Sequence, residues 1–130
     1  MSGRFLLDTN VVVGLLTGDE VIRQHLTQDA KVFLPAVVVG ELYYGARKSH
    51  RAEENLARIN QFAFSTVVLD CDIETANEYS MVKNELRLKG RPIPENDLWV
   101  AAIARQHNLV LVSQDKHFVD IERISLEQWQ

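Results

Sequence analysis

The chain has 130 residues, of which 46% are hydrophobic and 25% are charged. This length and composition suit one packed core and exclude extensive disorder, so we expect residues 1–130 to form a single domain. The apolar runs are far shorter than the roughly 20 residues of a membrane helix, no secretory signal is visible, and the single cysteine excludes an internal disulfide. We therefore expect a cytoplasmic protein without a membrane partner.

Predicted strands alternate with predicted helices along the chain. The strands are Arg4–Asp8, Val32–Leu34, Val67–Leu69 and Leu109–Ser113, with a possible last strand near 123–125. The helices run from about Thr9 to Thr17, over Asp19–Asp29, Ala36–Arg47, Arg51–Phe64 and Asp72–Lys89, and from Asn96 or Asp97 to His107. Gly18 and Gly90 end two of the helices, and residues 91–95, with two prolines, and 114–117 are predicted loops.

The strands are apolar on both faces, which is typical of parallel sheets covered by helices. The alternation of strands and helices indicates an α/β fold. We therefore predict a three-layer α/β/α sandwich with a small, mainly parallel sheet.

Four acidic residues stand where these elements end or begin: Asp8, Glu41, Asp97 and Asp115. Ligand sites of parallel sheets form beyond the carboxyl ends of the strands. Asp8 ends the first strand and Asp115 closely follows the fourth, so both are expected at that edge. Asp97 starts the helix that leads into the fourth strand, and Glu41 lies one to two turns into the helix after the second strand. We therefore expect the four carboxylates to meet.

Each of these acids also has a purely structural explanation. Asp8 can cap the first helix, and Asp97 can be an N-cap or a first-turn acid stabilised by the helix dipole. Asp115 can be an ordinary turn residue. Glu41 is harder to explain in this way, because it lies in the nearly uncharged stretch 36–44, where a buried acid would require partners. The coincidence of all four favours a functional site.

Electrostatic repulsion indicates that such a site needs cations. Two carboxylates about 5 Å apart repel each other by roughly 3 kcal/mol at an effective dielectric constant near 20. Mg²⁺ or Mn²⁺ suits an all-oxygen site, whereas Zn²⁺ would recruit histidine or cysteine. Such ions activate water for the cleavage of phosphodiesters. We predict Asp8 and Asp97 as direct ligands, and Asp115 and Glu41 as residues that either complete a second metal site or bind the ion through water. Thr9 and Ser113 can orient these ligands by hydrogen bonds, or can be structural only.

The net charge of −4, from 14 basic and 18 acidic side chains, is unusual for a nucleic-acid binder. Without the four candidate ligands, the acidic and basic residues balance. The charge therefore argues against tight metal-free binding of nucleic acid and leaves a metal-dependent nuclease open.

Four stretches resemble the PIN-domain family, and within it the VapC-type toxins of bacterial toxin–antitoxin pairs. They are Leu6–Asn10, Val39–Gly45, Ile93–Ala102 and Leu111–Asp115. Their order and spacing match over essentially the whole chain. Two departures are Gln114, where Arg or Asn is more familiar, and Trp99, which replaces an aliphatic residue.

The resemblance implies a PIN-like sandwich and an endoribonuclease that depends on Mg²⁺ or Mn²⁺. The acidic quartet of the family corresponds to Asp8, Glu41, Asp97 and Asp115. The resemblance also implies an RNA substrate, a homodimer, and a cognate VapB-like antitoxin that inhibits the toxin by occupying its site, with higher toxin–antitoxin assemblies possible.

Basic residues near the predicted site are candidates for holding RNA phosphates. Arg87, Lys89 and Arg91 precede the helix of Asp97, and Lys116 follows Asp115. The alternative for the first three is a solvated helix end.

Two other functions are compatible with parts of the sequence. Asp8 after a strand can be a phospho-accepting aspartate of a phosphotransfer enzyme, although phosphatases of the haloacid dehalogenase type carry a second Asp where this chain has Asn10. The other alternative is a catalytically silent binding module.

Overall fold

A computed structural model describes residues 3–129. In this range five strands form one sheet in the order β3-β2-β1-β4-β5, and every neighbouring pair is parallel. The strands are β1 (Arg4–Leu7), β2 (Lys31–Pro35), β3 (Val67–Leu69), β4 (Val110–Val112) and β5 (Ser125–Glu127). The helices are α1 (Thr9–Leu16), α2 (Glu20–His25), α3 (Ala36–Lys48), α4 (Ala52–Phe64), α5 (Ile73–Lys89) and α6 (Glu95–His107), with a 3-10 helix at Lys116–Asp120.

The strand order explains the layers. The chain steps outward from β1 to β2 and β3, and then crosses back to place β4 on the other side of β1. Crossovers between parallel strands are right-handed, so connections that run in opposite directions across the sheet place their helices on opposite faces. The predicted α/β sandwich is confirmed, and all of the described strand pairs are parallel.

The centre of the sheet and α6 form most of the core. Leu6, Leu7, Leu34, Leu111 and Val112 are fully buried on the central strands. In α6 an unbroken run of residues, 100–104, is buried. A helix buried on nearly all sides is held firmly, so its first turn, which carries Asp97, has a fixed place. No helix among residues 3–129 is both long and apolar enough to cross a membrane.

Three predicted boundaries were wrong by a few residues. The second helix covers only Glu20–His25, because Asp19 caps its start and the backbone becomes extended at Leu26, which packs against the core. Helix α6 begins at Glu95, directly after Pro94, rather than at Asn96 or Asp97. The last strand lies at Ser125–Glu127, beyond the left-handed backbone of Arg123, which has φ 57°.

The loop predicted at 114–117 and the limits of β4 also differ in detail. The chain leaves β4 at Val112, and the 3-10 helix starts at Lys116 with Asp115 as its N-cap. A turn of 3-10 helix is a common connector where a chain turns tightly. The result is a rigid link between β4 and β5.

A buried arginine joins α6 to α5. The Arg105 side chain is 2% exposed, and its Nε lies 3.1 Å from Glu78 while its Nη1 lies 3.1 Å from Glu85. Nη1 also donates to the carbonyl of Glu122 at 3.3 Å. A buried charge is tolerated only with such partners, so this cluster fixes α6 along α5.

The end of the described chain packs back onto its beginning. Trp129 is 1% exposed. Its ring stacks on His25 with 5.1 Å between centroids and meets Phe5 edge-on at 5.0 Å. It therefore seals the start of β1 and the end of α2.

We predict that Trp129→Ala destabilises the protein by about 3 kcal/mol, because it removes a large buried side chain and leaves a cavity. Phe64→Ala is the matched control, since Phe64 is 93% exposed and its truncation should cost less than about 0.5 kcal/mol. Urea unfolding followed by circular dichroism measures both. Equal losses in the two variants would contradict the assigned packing.

Candidate active site

The ends of β1 and β4 form the base of the site. Leu7 lies opposite Val112 in the parallel pair, and the Asp8 amide donates to the Val112 carbonyl at 3.0 Å. The next residues, Asp8 and Ser113, are therefore neighbours, and Ser113 Oγ donates to Asp8 Oδ2 at 2.7 Å. This gap between β1 and β4 is where the strand order reverses, the usual position of a ligand site in such sheets.

Asp8 caps a helix and also lies at the base of the site. Its Oδ1 accepts from the Thr9 amide at 2.9 Å, so it caps α1 as the structural explanation anticipated. The residue is only 5% exposed. Burial raises the pKa of Asp8, the hydrogen bonds from Ser113 and Thr9 oppose this, and the charges of Asp97 and Glu41 add to the increase.

Glu41 reaches the same edge from α3. Its Oε1 accepts from Thr9 Oγ1 at 3.0 Å, and its Oε2 accepts from Asn96 Nδ2 at 3.3 Å. The two donors come from α1, which follows Asp8, and from α6, which carries Asp97. Glu41 is therefore held between α1 and α6.

Asp97 and Asp115 approach each other through a histidine. His117 Nδ1 lies 2.7 Å from Asp97 Oδ2 and 3.1 Å from Asp115 Oδ1. Burial raises the pKa of Asp97, the hydrogen bond with His117 opposes this, and the charges of Asp115 and Glu41 raise it further. The hydrogen bond to Asp97 raises the pKa of His117. The four acids thus lie in one mutually repelling group.

Two further residues of the site, Asn10 and Asn96, were missed in the sequence, and a third, His117, was not predicted as a metal ligand. Asn10 accepts from the Gln114 amide at 3.1 Å and donates to Ser113 Oγ at 3.5 Å, which ties α1 to the end of β4. Asn96 holds Glu41, and His117 touches two acids. The only signal for them was their position, one or two residues from a predicted ligand.

The donor set fits a divalent cation. Asp97, Asp115 and His117 each offer a ligand atom, and these atoms lie within 4.8 Å of one another. Asp8 and Asp97 have raised pKa values in the absence of a cation, partly because the acids repel each other. A bound cation removes that repulsion.

The predicted phosphate-binding residues lie at the surface. Lys89 donates to the carbonyl of Asp120 at 2.8 Å, and Arg91 lies 3.8 Å from the carboxylate of Asp120. Arg87 donates to Asn84 at 2.8 Å, and Lys116 is exposed directly after Asp115. Lys89 and Arg91 therefore tie α5 to the 3-10 helix, while Lys116 is the basic side chain next to the acids in sequence.

Comparison with known proteins agrees with this geometry. The PIN-domain family model matches residues 5–124. Ribonuclease VapC2 of Haemophilus influenzae is 33% identical, and tRNA(fMet)-specific endonuclease VapC of Shigella flexneri is 31% identical; each alignment covers 97% of this chain and 98% of the relative. The DNA-bound VapBC structure of Salmonella typhimurium contains a chain with 32% identity and a TM-score of 0.90, covering 98% of this chain and 99% of that one.

A parallel sheet in this order, with acids at its switch point and relatives that are ribonucleases, identifies an α/β nuclease with a possible metal site. The chain belongs to the PIN-domain family and, within it, to the VapC ribonucleases. The phosphotransfer alternative is not supported, because the family model and the relatives that match the chain are those of nucleases.

We predict that Mn²⁺ raises the melting temperature strongly at about pH 7.5 and hardly at about pH 4. The raised pKa values of Asp8 and Asp97 mean that the folded protein holds these protons more tightly than the unfolded chain. Stability without metal therefore falls as the pH rises from the ordinary aspartate range through the raised values. A cation binds the ionised acids and restores stability only above that window.

Thermal melts with and without Mn²⁺ at the two pH values measure this effect. Asp97→Asn should lose most of the gain at neutral pH. A gain of the same size at both pH values would show that the cation binds elsewhere.

Proposed function

We propose that this protein is the toxin of a type II toxin–antitoxin pair and an endoribonuclease that requires Mg²⁺ or Mn²⁺. Asp8, Glu41, Asp97 and Asp115 hold the cation, and RNA phosphodiesters are hydrolysed in front of them. We place its action in the cytoplasm, where RNA is present and where the exposed thiol of Cys71 stays reduced. The chain is proposed to act as one domain and to form a homodimer.

One observation carries this proposal: four acids from four separate elements gather at the switch point of the sheet. Asp8 interacts with Glu41 and Asp97, and Asp97 interacts with Glu41 and Asp115. The cluster costs stability in the absence of cations. A cluster with this cost is better explained by a metal-dependent reaction than by a structural role for the acids.

The chain's own groups prepare the site for hydrolysis. A divalent cation, when bound, acidifies water and neutralises charge on the phosphate oxygens. Ser113 and the Thr9 amide each donate to one oxygen of Asp8, and the Thr9 hydroxyl and Asn96 each donate to one oxygen of Glu41, so both carboxylates are held in place. In the reaction the oxygen of water forms a bond to phosphorus, the bond to the leaving oxygen breaks, and the proton lost by water is balanced by the one that the leaving oxygen gains.

The RNA itself needs cationic contacts beyond the acids. Arg87, Lys89, Arg91 and Lys116 remain the proposed phosphate-binding residues. Lys116 is the strongest of these candidates, because it is exposed and adjoins Asp115. The substrate named for the Shigella relative, tRNA(fMet), is the first RNA to test.

A groove beside Glu41 supports the proposed antitoxin partner. It lies between α1, α3 and α4, has a volume of about 360 Å³, and is lined mainly by apolar side chains that include Val13, Leu16, Leu42 and Ile59. An apolar segment of a VapB-like antitoxin that enters this groove would reach the acids, and occupying the site in this way would inhibit the toxin. Larger toxin–antitoxin assemblies can form on the same contact.

Asp8→Asn and Asp97→Asn should each reduce RNA cleavage at least about 100-fold, since even outer partners of metal ligands typically cost 10–100-fold. Asp70→Asn is the control, because Asp70 is an exposed acid that follows β3. Cleavage of a panel of RNAs that includes tRNA(fMet) is measured with Mg²⁺ or Mn²⁺ and with EDTA. If both variants cut at the wild-type rate while remaining folded, the site assignment is wrong.

Val13→Asp should weaken binding of the cognate antitoxin by about tenfold or more, because it places a charge in the apolar groove. RNA cleavage by the free toxin should change little, since Val13 contributes no ligand. Val21→Asp is a suitable control: the two valines are 47% and 43% exposed, and only Val13 lines the groove. Isothermal titration calorimetry measures the affinity of each variant for the antitoxin. Equal affinities for the two variants would exclude this groove as the binding site.

A further inference from the structure

We infer that His117 is a direct ligand of the catalytic cation and that it makes the site prefer Mn²⁺ over Mg²⁺. This inference rests on the proposed function, because it concerns the same cation. It adds a nitrogen ligand to a site otherwise made of oxygen.

The position of the imidazole carries the inference. His117 Nδ1 lies 2.7 Å from Asp97 Oδ2 and 3.1 Å from Asp115 Oδ1. An octahedral ion with bonds of about 2.1 Å has adjacent ligands about 3 Å apart. The nitrogen is therefore spaced from each of the two oxygens as neighbouring ligands are, and all three atoms lie within 4.8 Å of one another.

The local structure holds the ring in this position. The His117 amide donates to Asp115 Oδ1 at 3.1 Å, so the 3-10 helix turns back over its own capping residue. The next residue, Phe118, is fully buried in the core. This anchor fixes the backbone, and the ring remains half exposed, with 46% of the side chain accessible. A cation and its water molecules can therefore reach it.

The chemistry of the ligands sets the preference among metals. Mg²⁺ takes oxygen ligands and keeps several waters. Imidazole suits transition metals, whereas carboxylates suit Mg²⁺ and Mn²⁺ alike. A site with two carboxylates and one imidazole therefore gains affinity for Mn²⁺ that it does not gain for Mg²⁺.

The test is pulsed electron paramagnetic resonance of the full-length protein loaded with Mn²⁺. Wild type should show electron spin-echo modulation from an imidazole nitrogen, and His117→Gln should not. His50→Gln is the matched control, because His50 is exposed at the end of α3 and should leave the signal unchanged. The dissociation constant for Mn²⁺ should rise about tenfold or more in His117→Gln, and that for Mg²⁺ should change less than about threefold.

A second variant tests the preference in the opposite direction. His117→Asp supplies an oxygen in place of the nitrogen, so it should bind Mg²⁺ more tightly than His117→Gln does and lose the nitrogen signal. Wild type that binds Mn²⁺ through Asp97, without a nitrogen signal and with an unchanged metal preference in His117→Gln, would overturn the inference and leave the proposed function intact. Wild type that binds neither ion would overturn both.

Discussion

The register between β1 and β4 is the constraint on which the rest of the site depends. It sets Leu7 beside Val112, and the residues that follow are then forced into contact as Asp8 and Ser113. A shift by one residue would turn the side chains of a strand to the opposite face. Because both strands are buried and apolar on both faces, core packing holds this register, and the chemistry of the site follows from it.

The acidic cluster destabilises the folded protein when no cation is bound. Burial and repulsion from neighbouring acids both oppose the ionisation of Asp8 and Asp97, and the surrounding core must compensate for this. Hydrogen bonds from Ser113, Thr9 and Asn96 compensate in part, and a cation does so more completely. The same carboxylates thus lower folding stability when they are ionised and must be ionised to bind a cation, a conflict that is common at enzyme sites.

Much of the fold was predictable because its signals are local. The apolar strands, the glycines that end α1 and α5, and the spacing of Asp8, Glu41, Asp97 and Asp115 all lie in short stretches of sequence. The alternation of strands and helices then predicted the parallel sheet and the edge at which the acids meet. The resemblance to PIN domains depended on the same stretches and is confirmed by the family match.

Other features depend on contacts between distant residues, and local patterns do not encode those. The end of α2 at His25 is an example, because Leu26 leaves the helix with an extended backbone and packs against the core. The contact of His117 with Asp97 joins residues 20 positions apart, and the contact of Asn96 with Glu41 joins residues 55 positions apart. Both contacts form only when α6 is packed against its neighbours. A histidine or asparagine next to a predicted ligand is also common for structural reasons, so its presence in the sequence does not predict these contacts.

The buried Arg105 cluster gives α5 an influence over the acidic site although none of the four acids lies in α5. Arg105 and Asp97 stand on one helix, about 12 Å apart along its axis, so the ion pairs with Glu78 and Glu85 help to position the helix that carries Asp97. A displacement there would alter the distances between the acids without removing any of them. Substitutions in α5 therefore offer a way to adjust the geometry of the site gradually, whereas loss of a carboxylate would remove one of its members.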